Sequence, residues 1–266
     1  MSDPRTRVSP DEMAALDVEN GIEYLLHLGS SPLAQRAHSD ELAWVITGID
    51  DNSYNGVAWF RVANNRADAM IEAIIQRFRR LSMPSLWFVD SVSQPADLEA
   101  RLQAHGCLRL DDGVGMVADL TMLNEETRSI PDLEIRRVQD GSDLARWCDI
   151  YASDDSQGRE SLYGSLGFGV DQPLHHYLAL LDGVPVGTSS VFLGKRSAGI
   201  YHVEVKPEAR RRGIGTALTL APLLEARRRG YRLGNVGPSL ESQHMYQRLG
   251  FVLYPNVHTM YAISGF

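Results

Sequence analysis

The sequence predicts an α/β (α+β) fold built from two related domains, each a mixed and mostly antiparallel sheet flanked by helices. Three observations lead to this prediction. An Asp-Gly pair at residue 182 separates two alternating apolar runs, which is a strong hairpin signal. A β-branched run at 200–205 is followed, after a glycine-containing turn, by an apolar segment at helical spacing. The order of strands and helices over 56–120 also repeats the order over 199–263.

The C-terminal half is expected to contain a complete domain. Its predicted elements are a strand at 133–138, a helix at 140–151, hairpin strands at 176–181 and 184–193, a strand at 199–205, a helix at 214–229, a strand at 231–236, a helix at 239–249, and strands at 251–254 and 257–263. Pro222 lies inside the helix at 214–229 and should kink or break it. The Gly- and Ser-rich stretch 153–172 is either a lid or a short helix with a surface loop.

The N-terminal half is predicted to be a degenerate copy of the later elements. Its predicted elements are a strand at 56–62, an amphipathic helix at 67–81, a strand at 85–90, a helix at 95–105, and strands at 107–110 and 114–120. An unrelated α+β domain is the alternative. We expect domains at 1–125 and 133–266, joined by a polar, proline-ended linker at 126–132.

Residues 203–218 carry the strongest functional signal. A strand ends at Pro207, three arginines follow, and then Gly213-x-Gly215 opens a helix. The unpaired amides and the dipole of a helix N-terminus favour an anion, and glycines let the backbone approach it closely. The spacing matches neither the P-loop nor the dinucleotide fingerprint. A helix start with a solvated basic cluster is the alternative interpretation.

A second motif occupies residues 239–251. A short helix is expected to start at Ser239 as its N-cap and to end at Gly250. Tyr246 lies within it, four residues before that glycine. Tyr246 is either a proton donor or a buried aromatic that packs the helix on the sheet.

Together these two motifs resemble the acetyl-CoA and tyrosine motifs of the GNAT acetyltransferase superfamily. The resemblance implies that acetyl-CoA is the co-substrate and that the tyrosine lies near the thioester sulfur. It places Val203 and Val205 along the pantetheine arm, and Arg210 at the start of the loop motif. Ser239 stands where the family often has Asn. The resemblance assigns the pyrophosphate-binding amides to Arg211, Arg212, Gly213, Ile214, Gly215 and Thr216.

The resemblance also indicates a tandem arrangement in which the first copy has lost its chemistry. In the first copy, residues 63–66 replace the arginine-rich glycine loop, and Leu102 replaces the tyrosine. We therefore expect this copy not to bind acetyl-CoA in the usual way. The degenerate half is expected to help shape the acceptor site.

The reaction implied is attack of a neutral amine on the thioester carbonyl. Strand amides near Val203 to Val205 would stabilise the negative charge on the carbonyl oxygen. Tyr246 would donate a proton to the leaving thiolate. An amine must lose a proton first, and the candidate bases are Glu204, if burial raises its pKa, and His202. Both lie on one strand face, two residues apart, and His202 has the more suitable intrinsic pKa. The resemblance leaves the base open, because many members of the family use chains of water molecules.

Composition limits the remaining possibilities. The 266 residues carry a formal net charge of −8, which argues against a nucleic-acid partner. The N-terminus has no apolar signal segment and no run is long enough to span a membrane, so a cytoplasmic protein is expected. The two cysteines are expected to be buried and reduced, and no metal site is expected.

The predicted function is acetyl-CoA-dependent N-acetylation of a small-molecule amine. Two alternatives stay open: a non-catalytic acyl-CoA-binding regulatory module, and an acyltransferase that acts on a protein amine. The sequence does not identify the acceptor or the oligomeric state.

Overall fold

The fold is described from a computed structural model, over residues 9–90, 92–110, 114–126, 129–151, 155–255 and 259–263. Within those ranges the chain forms seven α-helices and thirteen strands. The helices are α1 (Pro10–Leu28), α2 (Asn64–Arg80), α3 (Leu98–Ala104), α4 (Gly141–Tyr151), α5 (Ser156–Leu166), α6 (Ile214–Arg228) and α7 (Gln243–Leu249). The strands are β1 (Gln35–His38), β2 (Leu42–Ile46), β3 (Asn55–Phe60), β4 (Leu86–Val89), β5 (Cys107–Arg109), β6 (Val114–Asp119), β7 (Leu133–Arg137), β8 (Leu174–Leu181), β9 (Val184–Leu193), β10 (Ala198–Val205), β11 (Leu233–Val236), β12 (Val252–Pro255) and β13 (Thr259–Ile263).

The strands form two sheets with the same internal order. One has the order β12-β6-β11-β10-β9-β8-β7, and the other, written from the corresponding edge, has the order β5-β13-β4-β3-β2-β1. Each contains one parallel pair, β10–β11 in the first and β3–β4 in the second, and the other pairs are antiparallel. The predicted α/β (α+β) class with two mostly antiparallel sheets is therefore confirmed, and the internal repeat is visible in the strand order.

The two sheets exchange strands between the halves of the chain. One compact unit, the larger unit, comprises 1–21 and 113–256, and the smaller unit comprises 22–112 and 257–266. In the larger unit β6 pairs with both β11 and β12. In the smaller unit β13 pairs with both β4 and β5. This division differs from the predicted domains 1–125 and 133–266, because each sheet takes its penultimate strand from the other half of the sequence.

Three elements near the N-terminus were not predicted: α1, β1 and β2. The apolar side chains of α1 pack in both units: those in its N-terminal part pack in the larger unit, and those in its C-terminal part pack in the smaller unit. Met13 and Leu16 are buried with residues of β6 and β12, whereas Leu25 is buried with residues of β2 and β3. Because a helix that buries its two ends against different sets of residues shows no single apolar stripe, its periodicity is weak in the sequence.

The exchanged strand predicts that the C-terminal half cannot fold by itself. A fragment of residues 126–266 lacks β6, which supplies the buried Met116 and Ala118 to the core that holds Tyr246. We expect this fragment to lack a cooperative thermal transition by circular dichroism, whereas the full chain shows one. A cooperatively folded fragment with native-like near-ultraviolet signal would contradict the strand exchange.

Helix α6 runs from Ile214 to Arg228 without the break that was predicted at Pro222. Proline has no N–H to donate to the carbonyl four residues earlier, which belongs to Leu218. The Ser189 hydroxyl of β9 donates to that carbonyl at 2.8 Å instead. A side chain of the sheet thus replaces the missing helix bond and ties the middle of α6 to β9.

This substitution of one hydrogen bond for another predicts coupling between residues 189 and 222. Ser189→Ala leaves the buried Leu218 carbonyl without a donor and should lower the free energy of unfolding by about 1–3 kcal/mol. In a Pro222→Ala background the restored N–H of residue 222 donates to the same carbonyl, so Ser189→Ala should cost less. Urea denaturation of the two single variants and the double variant measures the coupling, and strictly additive losses would contradict it.

Candidate active site

The two strands of the parallel pair in the larger unit separate partway along β10. The pairing of β10 with β11 ends at Ile200 opposite Val236. Beyond that point β10 continues to Val205 alongside β9 alone. The edge of β10 over 201–205 that faces away from β9 is therefore not paired with β11. We call this opening the fork.

A β-bulge lies at the start of the fork. The register between β10 and β9 shifts between Tyr201 and Glu204, which adds one residue to β10. His202 has φ of 55°, in the left-handed region that favours glycine. Holding a non-glycine residue there costs about 1–3 kcal/mol, and residues strained in this way cluster at active sites and in turns.

The bulge turns one amide toward the fork. The Thr188 hydroxyl of β9 donates to the His202 carbonyl at 3.0 Å, so that carbonyl points toward β9. In a trans peptide the C=O and the following N–H point in opposite directions. The N–H of Val203 is therefore directed away from β9, toward the fork, where it can donate to a ligand oxygen.

The predicted glycine loop leads from the end of β10 to the N-terminus of α6. Arg211 and Gly213 both have left-handed backbones, with φ of 59° and 89°. Gly213 is the N-cap of α6, and no side chain bonds the first-turn amides. The amides of Ile214, Gly215 and Thr216 have no acceptor within the helix, so they are available to an anion.

The three arginines of the loop have different surroundings. Arg210 donates from Nε to the Val205 carbonyl at 2.8 Å and from Nη2 to Glu204 at 2.8 Å. It thus holds the end of β10. Arg211 and Arg212 are exposed beside the N-terminus of α6, where their positive charges reinforce the helix dipole.

Glu204, one of the two predicted bases, is engaged by that ion pair. Its side chain is 41% exposed, so it lacks the burial on which its predicted role depended. His202 lies deeper, with its Nδ1 3.2 Å from the Ser190 hydroxyl and its Nε2 3.5 Å from the Tyr163 hydroxyl. Protein groups therefore lie beside both ring nitrogens of His202.

Val203 and Val205 are partly buried, and their side chains pack against the core. Val203 packs on the cluster that contains Tyr246, and Val205 packs on the cluster that contains Leu218.

Tyr246 is buried on α7. It is 3% exposed, and its ring lies 5.6 Å from that of Phe251. Burial raises the pKa of its phenol to about 12, partly offset by a hydrogen bond with Thr219. The Thr219 hydroxyl in turn donates to the Gly215 carbonyl at 2.9 Å. A short chain of hydrogen bonds thus joins the tyrosine to the first turn of α6.

The start of α7 differs from the prediction. The helix begins at Gln243 with Ser242 as its N-cap, not at Ser239. Ser239 instead accepts hydrogen bonds at its carbonyl from the amide and hydroxyl of Ser242. A local turn therefore precedes the helix, and the Ser239 hydroxyl bonds Ser242 at 3.0 Å rather than capping the helix.

The stretch 153–172 contains a short helix. Helix α5 spans Ser156–Leu166 and is capped by the Asp155 carboxylate, which accepts from the Gly158 amide at 3.1 Å. This is the second of the two predicted alternatives, and residues 153–154 lie outside the described residues.

Sequence reasoning missed the polar residues of β8 and β9 that surround the bulge. Ser190 lies between two histidines, with His176 Nδ1 at 2.7 Å and His202 Nδ1 at 3.2 Å. Thr188, Ser189 and Ser190 are all buried. Three consecutive hydroxyl residues in an otherwise apolar strand are a signal that could have been noticed, because buried hydroxyls need partners.

The corresponding place in the smaller unit is closed. After β3 the Gln94 amide donates to the Phe60 carbonyl at 2.9 Å, and Arg61 forms a parallel bridge with Gln94. At the N-terminus of α2, the Arg101 guanidinium bonds Asn64. Leu102, at the position of the tyrosine, is fully buried. In the smaller unit the pairing of β3 with β4 ends at Val57 opposite Trp87, and the segment after β4 crosses the gap beyond that point.

The described residues contain no cluster of three or more His, Cys, Asp or Glu side chains placed to hold a metal ion. In the same ranges no helix is both long and apolar enough to cross a membrane. Cys107 and Cys148 are buried free thiols, and burial raises the pKa of each, to about 11 and about 12.

Part of the sequence matches a known family model, and the fold is similar to that of solved structures. The sequence model described as "Acetyltransferase (GNAT) family" matches residues 140–251. No curated protein matches the sequence significantly.

Several solved structures have a similar fold over nearly the whole chain. A GCN5-related N-acetyltransferase from Kribbella flavida is 16% identical, with a TM-score of 0.67 over 94% of this chain and 95% of that one. A tandem GNAT protein from the clavulanic acid biosynthesis pathway is 16% identical, with a TM-score of 0.61 over 95% and 98%. At this identity the likeness concerns the fold alone.

Proposed function

We propose that the protein is an acetyl-CoA-dependent N-acetyltransferase that acts on a small-molecule amine, because residues 140–251 match the sequence model of the acetyltransferase (GNAT) family. The observation that carries the proposal is the fork between β10 and β11, with the uncapped N-terminus of α6 beside it. An extended thiol arm fits an open strand edge, and a pyrophosphate fits a helix N-terminus.

The loop would hold the pyrophosphate. Gly213 already has the left-handed conformation that aims the first amides of α6 outward. Arg211 and Arg212 add exposed positive charge, whereas Arg210 is hydrogen-bonded to the Glu204 carboxylate and the Val205 carbonyl. Of the arginines in the motif, two would therefore face the phosphates and one would fix the loop.

The Val203 amide at the bulge would bind the carbonyl oxygen of the thioester, and Tyr246 would bind its sulfur. The Val203 amide would donate to the carbonyl oxygen as negative charge develops there. Tyr246 would donate a hydrogen bond to the leaving sulfur. Its pKa of about 12 exceeds that of a thiol, about 8.5, so complete proton transfer to the thiolate is uphill. Its role is then mainly that of a donor that never ionises near neutral pH.

The base that accepts the amine proton is left unassigned. Glu204 is ion-paired with Arg210, and both nitrogens of His202 have protein neighbours. An acceptor amine that enters as the neutral form, or that loses its proton to water, requires no such residue.

One observation favours a second function, a non-catalytic acyl-CoA-binding module. The Tyr246 hydroxyl already has a partner in Thr219, and Glu204 has one in Arg210. A protein that only senses acyl-CoA needs neither group free. Turnover distinguishes the two functions directly.

Acetyl-CoA is expected to bind once per chain. Gly213→Val places a β-branched residue at φ of 89°, which should strain the loop and weaken binding at least tenfold. Isothermal titration measures both the stoichiometry and the Kd. Gly183→Val is a control at another left-handed turn glycine, with φ of 76°, outside the loop. Two sites in the parent chain would contradict the prediction that the first copy does not bind acetyl-CoA, and unchanged affinity in Gly213→Val would refute the loop assignment.

Tyr246→Phe should lower kcat about 10- to 100-fold and leave the Kd for acetyl-CoA nearly unchanged, because the ring still fills its place in the core. Thiol release from acetyl-CoA, followed against a panel of small amines, measures the rate. Since burial raises the pKa of Tyr246 to about 12, the parent enzyme should not lose activity through ionisation of this group below about pH 11. Equal rates for the two proteins would remove Tyr246 from the mechanism.

A further inference from the structure

We propose that Thr188 and Ser190 are positioning residues that lock the bulge at His202 and so aim the Val203 amide at the thioester carbonyl. The inference rests on the proposed function, because the lock acts on the same fork. Neither residue belongs to the glycine loop or to the tyrosine motif. Both lie on β9, the strand that β10 follows along its whole length.

Thr188 fixes the direction of the peptide that follows His202. It is fully buried, and its hydroxyl donates to the His202 carbonyl at 3.0 Å. The extra residue in β10 interrupts the backbone ladder at this point, so a side chain makes the bond instead. As long as that carbonyl is held toward β9, the Val203 N–H must point toward the fork.

Ser190 fixes the side chain of His202. Its hydroxyl lies between His176 Nδ1 at 2.7 Å and His202 Nδ1 at 3.2 Å. A serine hydroxyl can donate to one ring nitrogen and accept from the other, so a single neutral tautomer of each histidine satisfies all three groups. The imidazole of His202 thereby becomes part of a partly buried hydrogen-bond network.

Aromatic rings close the remaining space around that imidazole. The rings of Trp147 and Tyr151 lie with their centroids 5.3 Å and 4.5 Å from that of His202. A left-handed, non-glycine residue persists only where its surroundings over-determine it. Hydroxyl, histidine and aromatic contacts together provide that constraint at His202.

We call the contacts of Thr188 and Ser190 with His202 the lock. The lock should stabilise the transition state more than it stabilises bound acetyl-CoA before the reaction. The Val203 amide meets an oxygen whose negative charge develops only during attack, while the rest of acetyl-CoA contacts the loop and the β10 edge. Loss of the lock should therefore lower kcat about 10- to 100-fold and change the KM for acetyl-CoA less than about threefold.

The test compares Thr188→Val, which keeps the shape and removes the hydroxyl, with Thr188→Ser, which keeps the hydroxyl. Thr188→Val should show the predicted loss of kcat, and Thr188→Ser should recover most of it. Thr47→Val removes another buried threonine hydroxyl, in the smaller unit, and should leave kcat as in the parent. Equal kcat for Thr188→Val and the parent, or equal losses in Thr188→Val and Thr188→Ser, would overturn the proposal.

A second pair of variants, at His202 itself, tests the proposal even if Thr188→Val does not fold. His202→Gly loses the lock but adopts a positive φ freely, whereas His202→Ala loses the lock and keeps the strain. We expect His202→Gly to keep a higher kcat than His202→Ala. Equal loss in both would mean that the imidazole acts in some other way than by shaping the bulge.

Crystal structures of the parent and of Thr188→Val separate this inference from the proposed function. The lock predicts a left-handed residue 202 in the parent and a relaxed bulge in the variant, whether or not any amine is acetylated. A relaxed bulge in the variant, with a parent protein inactive on every amine, would keep the lock and reject the transferase. An unchanged bulge with full activity would reject the lock and keep the transferase.

Discussion

The site depends on one constraint on β10: it must stay paired with β9 to its end while it leaves β11 after Ile200. Continued pairing with β9 gives the strand a rigid support, and separation from β11 opens a backbone edge to a ligand. The bulge at His202 occurs where the two demands meet, because an extra residue lets β10 turn without losing its bonds to β9. The Val203 amide, the Arg210 clamp on Val205 and the start of α6 are all placed by this change of partner.

The smaller unit shows the same strand order with the separation crossed by another segment. There the pairing of β3 with β4 also ends early, at Val57 opposite Trp87, but after β4 the Gln94 amide donates to the Phe60 carbonyl. The Arg101 guanidinium bonds the Asn64 side chain at the start of α2. The N-terminal half of the sequence nevertheless contributes β6 to the larger unit, and Met116 and Ala118 of this strand belong to the core around Tyr246.

Features with local causes could be predicted from the sequence, and features with long-range causes could not. The hairpin at Asp182 and the helix start after Gly213 follow from turn chemistry within a few residues. The strand exchange has no local signature, because β6 and β13 are both short and mostly apolar and either could fill either sheet. The bulge was missed because His202 is not a glycine, and its left-handed backbone is imposed by Thr188 and Ser190 on β9. The prediction that Glu204 acts as a base depended on burial, and the strand pattern does not show that its carboxylate is exposed and paired with Arg210, six residues on.

Hydrogen–deuterium exchange of the full chain, with and without coenzyme A, tests the central claim most directly. The claim is that, in the part of the chain that the structure describes, the fork of the larger unit is open to a ligand and the corresponding gap of the smaller unit is crossed by the segment after β4. The account predicts ligand-induced protection over 201–205 and 213–216 and no change over 55–66. Protection over 55–66, alone or together with the other two segments, would show that the smaller unit also binds the cofactor and would contradict the account.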